Sequence, residues 1–286
     1  NFYSASKKFQ RIIKEFNPDV VHSHMVHANI FSRLNRVFVK LNKLICTAHN
    51  ANEGGVLRMI GYKLTNNLSD INTNVSFEAV ESFIKKKAFD KNAIAIYNGI
   101  DLNKFKFIEK KNNSIKNILA VGRLNIQKDY PNLLKALSLL PEEYLFRLSI
   151  AGEGEERESI ESLIRSYKLE SKVQLLGRRN DIPELFSKAD IFVLSSAYEG
   201  FGLVVAEAMA SNTFVVGTDC GGVKEVMGGT GILVPPKNSV ALAEGLITAI
   251  NFSHDHILQN NMKAFAHVKK NFDLKIIVEK WLELYA

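Results

Sequence analysis

Short apolar runs of strand length alternate with helix-length amphipathic stretches along nearly the whole chain, and this alternation restricts the fold more than any other feature. A strand, a crossover helix and a second parallel strand produce that pattern, so an α/β chain with doubly wound parallel sheets is expected. In the first third the expected strands are 19–24, 44–49, 70–75 and 93–98. Ser76 before Phe-Glu-Ala-Val-Glu has the chemistry of an N-cap followed by an acidic first turn. A second series follows at 117–123, 146–152, 173–178, 191–196, 213–218 and 231–235. Helical stretches are expected among these at 131–140, 155–168, 203–210 and 240–250.

At 286 residues the chain has length for two domains, each able to bury a core. The polar, lysine-rich segment 103–117 reads as the linker. The expected domains are therefore 1–108, a partial N-terminal domain, and 109–273, a complete C-terminal one. Residues 274–286 form a helical tail expected to pack back on the first domain. Six strands complete a doubly wound domain, whereas four leave an unpaired strand edge and an uncovered apolar face. The chain does not open on Met, and 1–14 reads as the middle of an amphipathic helix, so the natural start is expected upstream.

Hydrophobic residues are 46% and charged residues 23%, a globular composition rather than a disordered one. No apolar run reaches the roughly 18 residues of a membrane-spanning helix. Cys46 and Cys220 are far apart and unaccompanied, which argues against a disulfide framework or zinc ribbon and for a reducing, cytoplasmic setting. The net charge of +7 raises nucleic acid as a partner, but the lysines are scattered. The densest run, Lys85-Lys86-Lys87, sits late on a helix, where cations complement the dipole. A basic surface also suits anionic sugar nucleotides and peripheral contact with an anionic membrane.

The most informative stretch is 195–210, S-S-A-Y-E-G-F-G-L-V-V-A-E-A-M-A. A buried strand ends in small polar residues, turns through Glu199-Gly200-Phe201-Gly202 and enters a helix of strong formers. In open parallel sheets ligands gather outside the carboxyl ends of strands, and a helix start offers free N–H groups to a phosphate. Two carboxylates there would repel the anion, so Glu199 is assigned to sugar hydroxyls and Glu207 to the ribose diol. A surface helix after an ordinary glycine turn accounts for each residue separately but not for the set. A matching element is 121–129, V-G-R-L-N-I-Q-K-D, whose Arg123 and Lys128 could converge on one diphosphate as fixed cations.

With those residues in place, the sequence resembles the retaining GT-B glycosyltransferases, a group that includes glycogen and sucrose synthases and many bacterial polysaccharide and lipid-linked sugar transferases. The resemblance is strongest over V-G-R-L…K-D-Y-P-N-L-L, A-G-E-G-E-E-R, G-R-R-N-D-I-P-E-L-F-S-K-A-D-I-F-V-L-S-S and E-G-F-G-L-V-V-A-E-A-M-A. Glu199 and Glu207 match its paired glutamates. It implies two Rossmann-like domains facing across a cleft, 1–108 on the acceptor side and here partial, and 109–273 binding the nucleotide-sugar donor. It also implies transfer of a hexose-type sugar from a nucleoside diphosphate, most commonly UDP, to a polysaccharide or lipid-linked acceptor, with retained configuration and no cofactor or metal. Arg123 and Lys128 would contact donor phosphate, beside Gly122, and Glu199 the sugar. Backbone at Phe201, Gly202, Leu203 and Val204 would hold the diphosphate, Glu207 the ribose, and the loop from Arg178 to Asp181 would flank the base.

The resemblance further implies a histidine facing the donor sugar, for which His24 is chosen, with His22 and His27 as alternatives. Three imidazoles within six residues also raise a metal site, but no acidic residue lies between them. His49 could be structural or could contact the acceptor. A-G-E-G at 151–154 imitates a phosphate loop, yet Glu153, Glu155 and Glu156 would repel an anion, so it reads as a turn before a helix. His254, His256 and His267 are expected to be solvated, and Trp281 to fill a core. Two further functions are weighed: a non-hydrolysing sugar-nucleotide epimerase, which the paired glutamates argue against, and a non-catalytic donor-binding remnant. The remnant is considered because the glycine-rich loop after the family's first strand has no counterpart here.

Overall fold

The apolar runs form parallel strands in two separate sheets. A computed structural model describes residues 1–51, 53–110 and 114–286. The described chain divides into two units, Asn1–Asn98 with Ile277–Ala286, and Gly99–Ile276.

In the first unit the order is α1 (Phe2–Phe16), β1 (Val20–His24), α2 (Met25–Asn35), β2 (Lys43–Ala48), α3 (Val56–Thr65), β3 (Ile71–Asn74), α4 (Phe77–Lys85) and β4 (Ile94–Ala95). The four strands pair in parallel as β1-β2-β3-β4, which leaves β1 at one edge. Ser76 caps α4, its hydroxyl accepting from Ala79 N–H. The expected strand 93–98 contributes only two ladder residues, although Ile96 N–H still donates to Asn74 O at 2.9 Å. The centre of this unit is unusually polar for an α/β core. Arg33 is fully buried, donates to Tyr62 O, Thr65 Oγ1 and Asn72 Oδ1, and lies over the Tyr62 ring at 5.2 Å. A buried cation without a carboxylate is tolerable only because carbonyl, hydroxyl and ring acceptors surround it.

The second unit contains β5 (Lys116–Val121), α5 (Tyr130–Ser138), β6 (Phe146–Ala151), α6 (Arg157–Ser166), β7 (Val173–Gly177), α7 (Ile182–Lys188), β8 (Ile191–Leu194), α8 (Leu203–Ala210), β9 (Phe214–Thr218), α9 (Val223–Met227) and β10 (Ile232–Val234), followed by α10 (Ser239–Asn251) and α11 (His254–Asn271). The strands are parallel in the order β10-β9-β8-β5-β6-β7. Helices cover both faces, so β8 and β9 are buried along their whole lengths and read as unbroken apolar runs rather than alternating ones. Ile118, Leu148, Ile150, Val193, Phe214 and Val216 lie in one core with Leu133, Leu134 and Leu246 of the helices.

Part of the expected linker 103–117, residues 111–113, lies outside the described residues. What is described of it is packed rather than free. Phe105 is buried, and Lys110 Nζ donates to Phe186 O, Ala189 O and Thr213 Oγ1. The stretch with His254, His256 and His267 is the long helix α11, on which His256 is exposed as expected and His254 and His267 are half-buried. His267 Nε2 meets Glu225 O at 3.2 Å and His256 stacks on Phe252, because the helix turns an apolar side of Ala264 and Val268 inward. The final helix, α12 (Leu274–Tyr285), runs from the second unit into the first.

Candidate functional site

The crossovers from β5 lead to β6 on one side, and those from β8 lead to β9 on the other, so the winding reverses between the neighbours β5 and β8. In open parallel sheets ligands bind outside the carboxyl ends of the strands at such a reversal. The two loops singled out in the sequence, 122–129 and 195–202, leave these two strands.

Hydrogen bonds tie the loops to each other. Ala197 N–H donates to Gln127 O at 2.8 Å, and Ser195 Oγ donates to Lys128 O at 2.7 Å. Lys128 Nζ lies 2.6 Å from Glu199 Oε1, with only 15% and 9% of the two side chains exposed. Ser196 Oγ donates to the same oxygen at 2.7 Å, and Gln127 Nε2 approaches Oε2 at 3.4 Å. The pair is thus charge-neutral and desolvated, and the carboxylate is oriented by two further donors. Gln127, Ser195 and Ser196 were not selected from sequence; their signal was only their place beside Lys128 and Glu199.

Two glycines explain how the loops come so close. A Cβ on Gly221, whose φ is +56°, would stand 2.0 Å from Glu199 O, so only glycine lets the segment after β9 press on the Glu199 turn. A Cβ on Gly152 would stand 1.9 Å from Gly122 O. The A-G-E-G turn therefore serves close backbone packing against Gly122. Gly122 itself lies beneath Lys128, whose Cε would be 2.6 Å from a Cβ there.

Arg123 points elsewhere. Its side chain is 70% exposed and its Nη2 lies 3.1 Å from Glu155 Oε2, so the structure does not bring Arg123 and Lys128 onto one point. Gly202, with φ 83°, begins α8 without a side-chain cap, leaving the first-turn N–H groups of Leu203 and Val204 without a side-chain acceptor. Phe201 is buried, edge-on to Phe272 at 5.3 Å, and so fixes the turn from below. Glu207, one turn into α8, has its carboxyl pushed up to about 7 by burial. Arg178 is exposed, and Asp181 takes Arg179 Nε at 2.7 Å, so the charged pair of that loop is Arg179–Asp181.

In the first unit the histidines gather at the carboxyl ends of β1 and β2. His22 bonds Tyr285 Oη and Thr47 Oγ1, each at 2.7 Å, and Thr47 Oγ1 continues to Thr73 Oγ1 at 2.6 Å. Trp281 lies against His22 with ring centres 4.6 Å apart, so this residue fills the space above β1. His24 is exposed and its Nδ1 meets His49 Nε2 at 3.0 Å, while His27 lies on the exposed side of α2. Burial and the neighbouring imidazoles push His22 down to about 4, and burial lowers His24 and His49 as well. The three rings are therefore neutral hydrogen-bonding groups near pH 7. His49 N–H is held by Glu53 Oε1 at 2.7 Å, and Glu53 Oε2 accepts from Tyr62 Oη at 2.6 Å. Among the described residues no group of three or more His, Cys, Asp or Glu is placed to hold a metal ion.

The model of glycosyl transferases group 1 matches residues 101–269, and that of glycosyltransferase family 4 matches residues 1–104. An uncharacterized glycosyltransferase of Haemophilus influenzae is 27% identical over 287 residues, spanning 98% of this chain and 80% of its own length. The N-acetylgalactosamine-N,N'-diacetylbacillosaminyl-diphospho-undecaprenol 4-alpha-N-acetylgalactosaminyltransferase of Campylobacter jejuni is 33% identical over 184 residues, 61% of this chain and 50% of its own length. A crystal structure of HepE from Anabaena in complex with UDP aligns with a TM-score of 0.85 at 22% identity, covering 98% of this chain and 81% of that one. That likeness is one of fold: two α/β domains with parallel sheets, the GT-B architecture.

Proposed function

Because the chain belongs to the glycosyl transferases group 1 family, we propose that it moves a hexose-type sugar from a nucleoside diphosphate, UDP in the first instance, to a polysaccharide or lipid-linked acceptor. The observation that carries the reading is the desolvated Lys128–Glu199 pair beside the uncapped start of α8, at the point where the winding of the sheet reverses. The diphosphate sits on the N–H groups of Leu203 and Val204, with Phe201 and Gly202 shaping the turn and Gly122 leaving room below. Lys128 is shared between Glu199 and the phosphate. Arg123 exchanges Glu155 for the diphosphate on binding, since an exposed ion pair is worth little.

As the glycosidic bond to the leaving phosphate breaks, negative charge grows on the nucleoside diphosphate, and Lys128 and Arg123 stabilise it in place of a metal. Glu199, released in part from Lys128, accepts hydrogen bonds from sugar hydroxyls. Glu207 accepts from the ribose diol, and Arg178 with Asp181 borders the base. His24 is assigned a hydrogen bond to a sugar or acceptor hydroxyl, as a neutral imidazole. Transfer is to the face the leaving group departs from, with the anomeric configuration retained. Peripheral contact with an anionic membrane belongs to the same reading.

A thermal-shift panel of UDP-, GDP- and ADP-sugars tests it. One nucleotide should raise the melting temperature, and the shift should shrink in Glu207→Ala. No shift with any of the three would refute donor binding. Formation of an epimerised sugar nucleotide without acceptor would replace transfer by epimerisation.

A further inference from the structure

A buried hydrogen-bond chain runs behind the histidines of the first unit. Ser23 Oγ donates to Asn29 Oδ1 at 2.7 Å, Asn29 Nδ2 to Tyr62 Oη at 2.9 Å, and Tyr62 Oη to Glu53 Oε2 at 2.6 Å. From the other end His49 N–H donates to Glu53 Oε1 at 2.7 Å. Asn29 and Tyr62 are fully buried, and Ser23 and Glu53 nearly so. The chain therefore starts one residue before His24 and ends on the backbone of His49, and the rings of these two residues meet at 3.0 Å. The backbone beyond His49 is held by side chains as well, Asn74 Nδ2 donating to Asn50 O at 3.1 Å and Ser82 Oγ to Ala51 O at 2.9 Å.

Every donor in this chain points towards Glu53. An ionised carboxylate only accepts, so it commits the Tyr62 hydroxyl as a donor and leaves the phenol oxygen to accept from Asn29. That orients the Asn29 amide, whose oxygen is left for Ser23 and whose nitrogen also donates to Thr47 O at 2.9 Å. Burying a carboxylate against a phenol and an amide N–H costs more than filling the same space with apolar atoms. What the arrangement secures is geometry, since a fully satisfied buried network admits one set of orientations. We propose that Glu53 is a positioning residue, which through Tyr62 and Asn29 holds His24 and His49 in the register that joins their rings. Both rings are neutral near pH 7, so one nitrogen of the contact donates and the other accepts. The outer nitrogens, His24 Nε2 and His49 Nδ1, are then one donor and one acceptor, a correlated pair suited to a hydroxyl. The inference rests on the reading of His24 as the imidazole that meets a sugar or acceptor hydroxyl, but only for its purpose.

Nitrogen-15 NMR of the imidazoles in the full chain, without ligand, is the test. Wild type should show coupling across the contact between His24 Nδ1 and His49 Nε2, with both rings in the same tautomer. Glu53→Gln keeps the volume but sets an amide N–H against a donor. The coupling should vanish there, and the His49 amide should exchange about tenfold faster. Tyr62→Phe, which removes the hydroxyl and leaves the carboxylate, should move both readouts in the same direction. Arg36→Ala is the comparison, because it unties Leu68 O and Asp70 in the same unit without touching the chain. It should lower the melting temperature and leave the imidazole signals as in wild type. An intact imidazole contact in folded Glu53→Gln, or in Tyr62→Phe if the first variant does not fold, would overturn the proposal. So would a wild type without the coupling, or its loss in Arg36→Ala, since the pair would then follow overall stability. The thermal shift with UDP should match wild type in every variant, because the proposed diphosphate site lies on the second unit, so failure here and failure of donor binding are separable.

Discussion

Glu199 and Lys128 hold each other in a dry setting, and this sets what single substitutions should do. Glu199→Gln strands a buried ammonium and should cost about 3 kcal/mol in chemical denaturation. It also frees Lys128 for phosphate, so titration calorimetry should find UDP bound at least as tightly while transfer falls by about a hundredfold. Loss of UDP binding in that variant would contradict the sharing of Lys128. Glu207 gives a pH dependence of definite sign. Its folded carboxyl is raised by burial to about 7, so ionising it destabilises the fold: stability is fully present below the unfolded value and declines as pH rises towards 7. Glu207→Gln should therefore melt higher than wild type at pH 8, by about 2 kcal/mol, with the gap closing towards pH 5. Donor affinity should show the opposite, weakening in wild type below pH 7 as the ribose acceptor is protonated. The types of these residues and their spacing were legible, because a turn with two glycines and flanking carboxylates is local. The departure of Arg123 to Glu155 was not, since an exposed guanidinium chooses among partners that only the folded β6–α6 turn supplies.

The elements themselves were largely legible, because period-two and period-3.6 patterns survive in buried strands and amphipathic helices. The exceptions have physical causes. The helix α11 is polar along most of its surface and hides its apolar side in Ala264 and Val268, too small a signal to stand out. The polar centre around Arg33, Tyr62 and Asn72 was invisible, since Asn and Arg read as surface residues until their acceptors are known. How α12 seats on the first unit was equally hidden: it rests on Tyr285 and Trp281 against His22, partners more than 250 positions away along the chain. Tyr285→Phe should cost about 1 kcal/mol and make the chain's last turn more open to carboxypeptidase. His22 has its pKa lowered, so its contribution is present above the unfolded value near 6.5 and lost as pH falls towards about 4. His22→Gln should remove about 1 kcal/mol of that acid sensitivity, a discount reflecting a ring that is only half-buried. Unchanged pH curves would place the acid-sensitive group elsewhere.

At the scale of the whole molecule the fold class followed from the alternation of strand and helix patterns, since parallel sheets covered on both faces leave few other solutions. Strand order was beyond the sequence, and with it the fact that β5 and β8 are neighbours, which is what brings two separate loops into one site. The proposed function requires the nucleotide to bind where these two loops meet. Amide hydrogen exchange with and without saturating UDP measures this directly. Slowed exchange is predicted in segments 121–129 and 195–207, including the first-turn amides of Leu203 and Val204. UDP that binds while those segments exchange unchanged, with protection appearing only elsewhere in the chain, would contradict it.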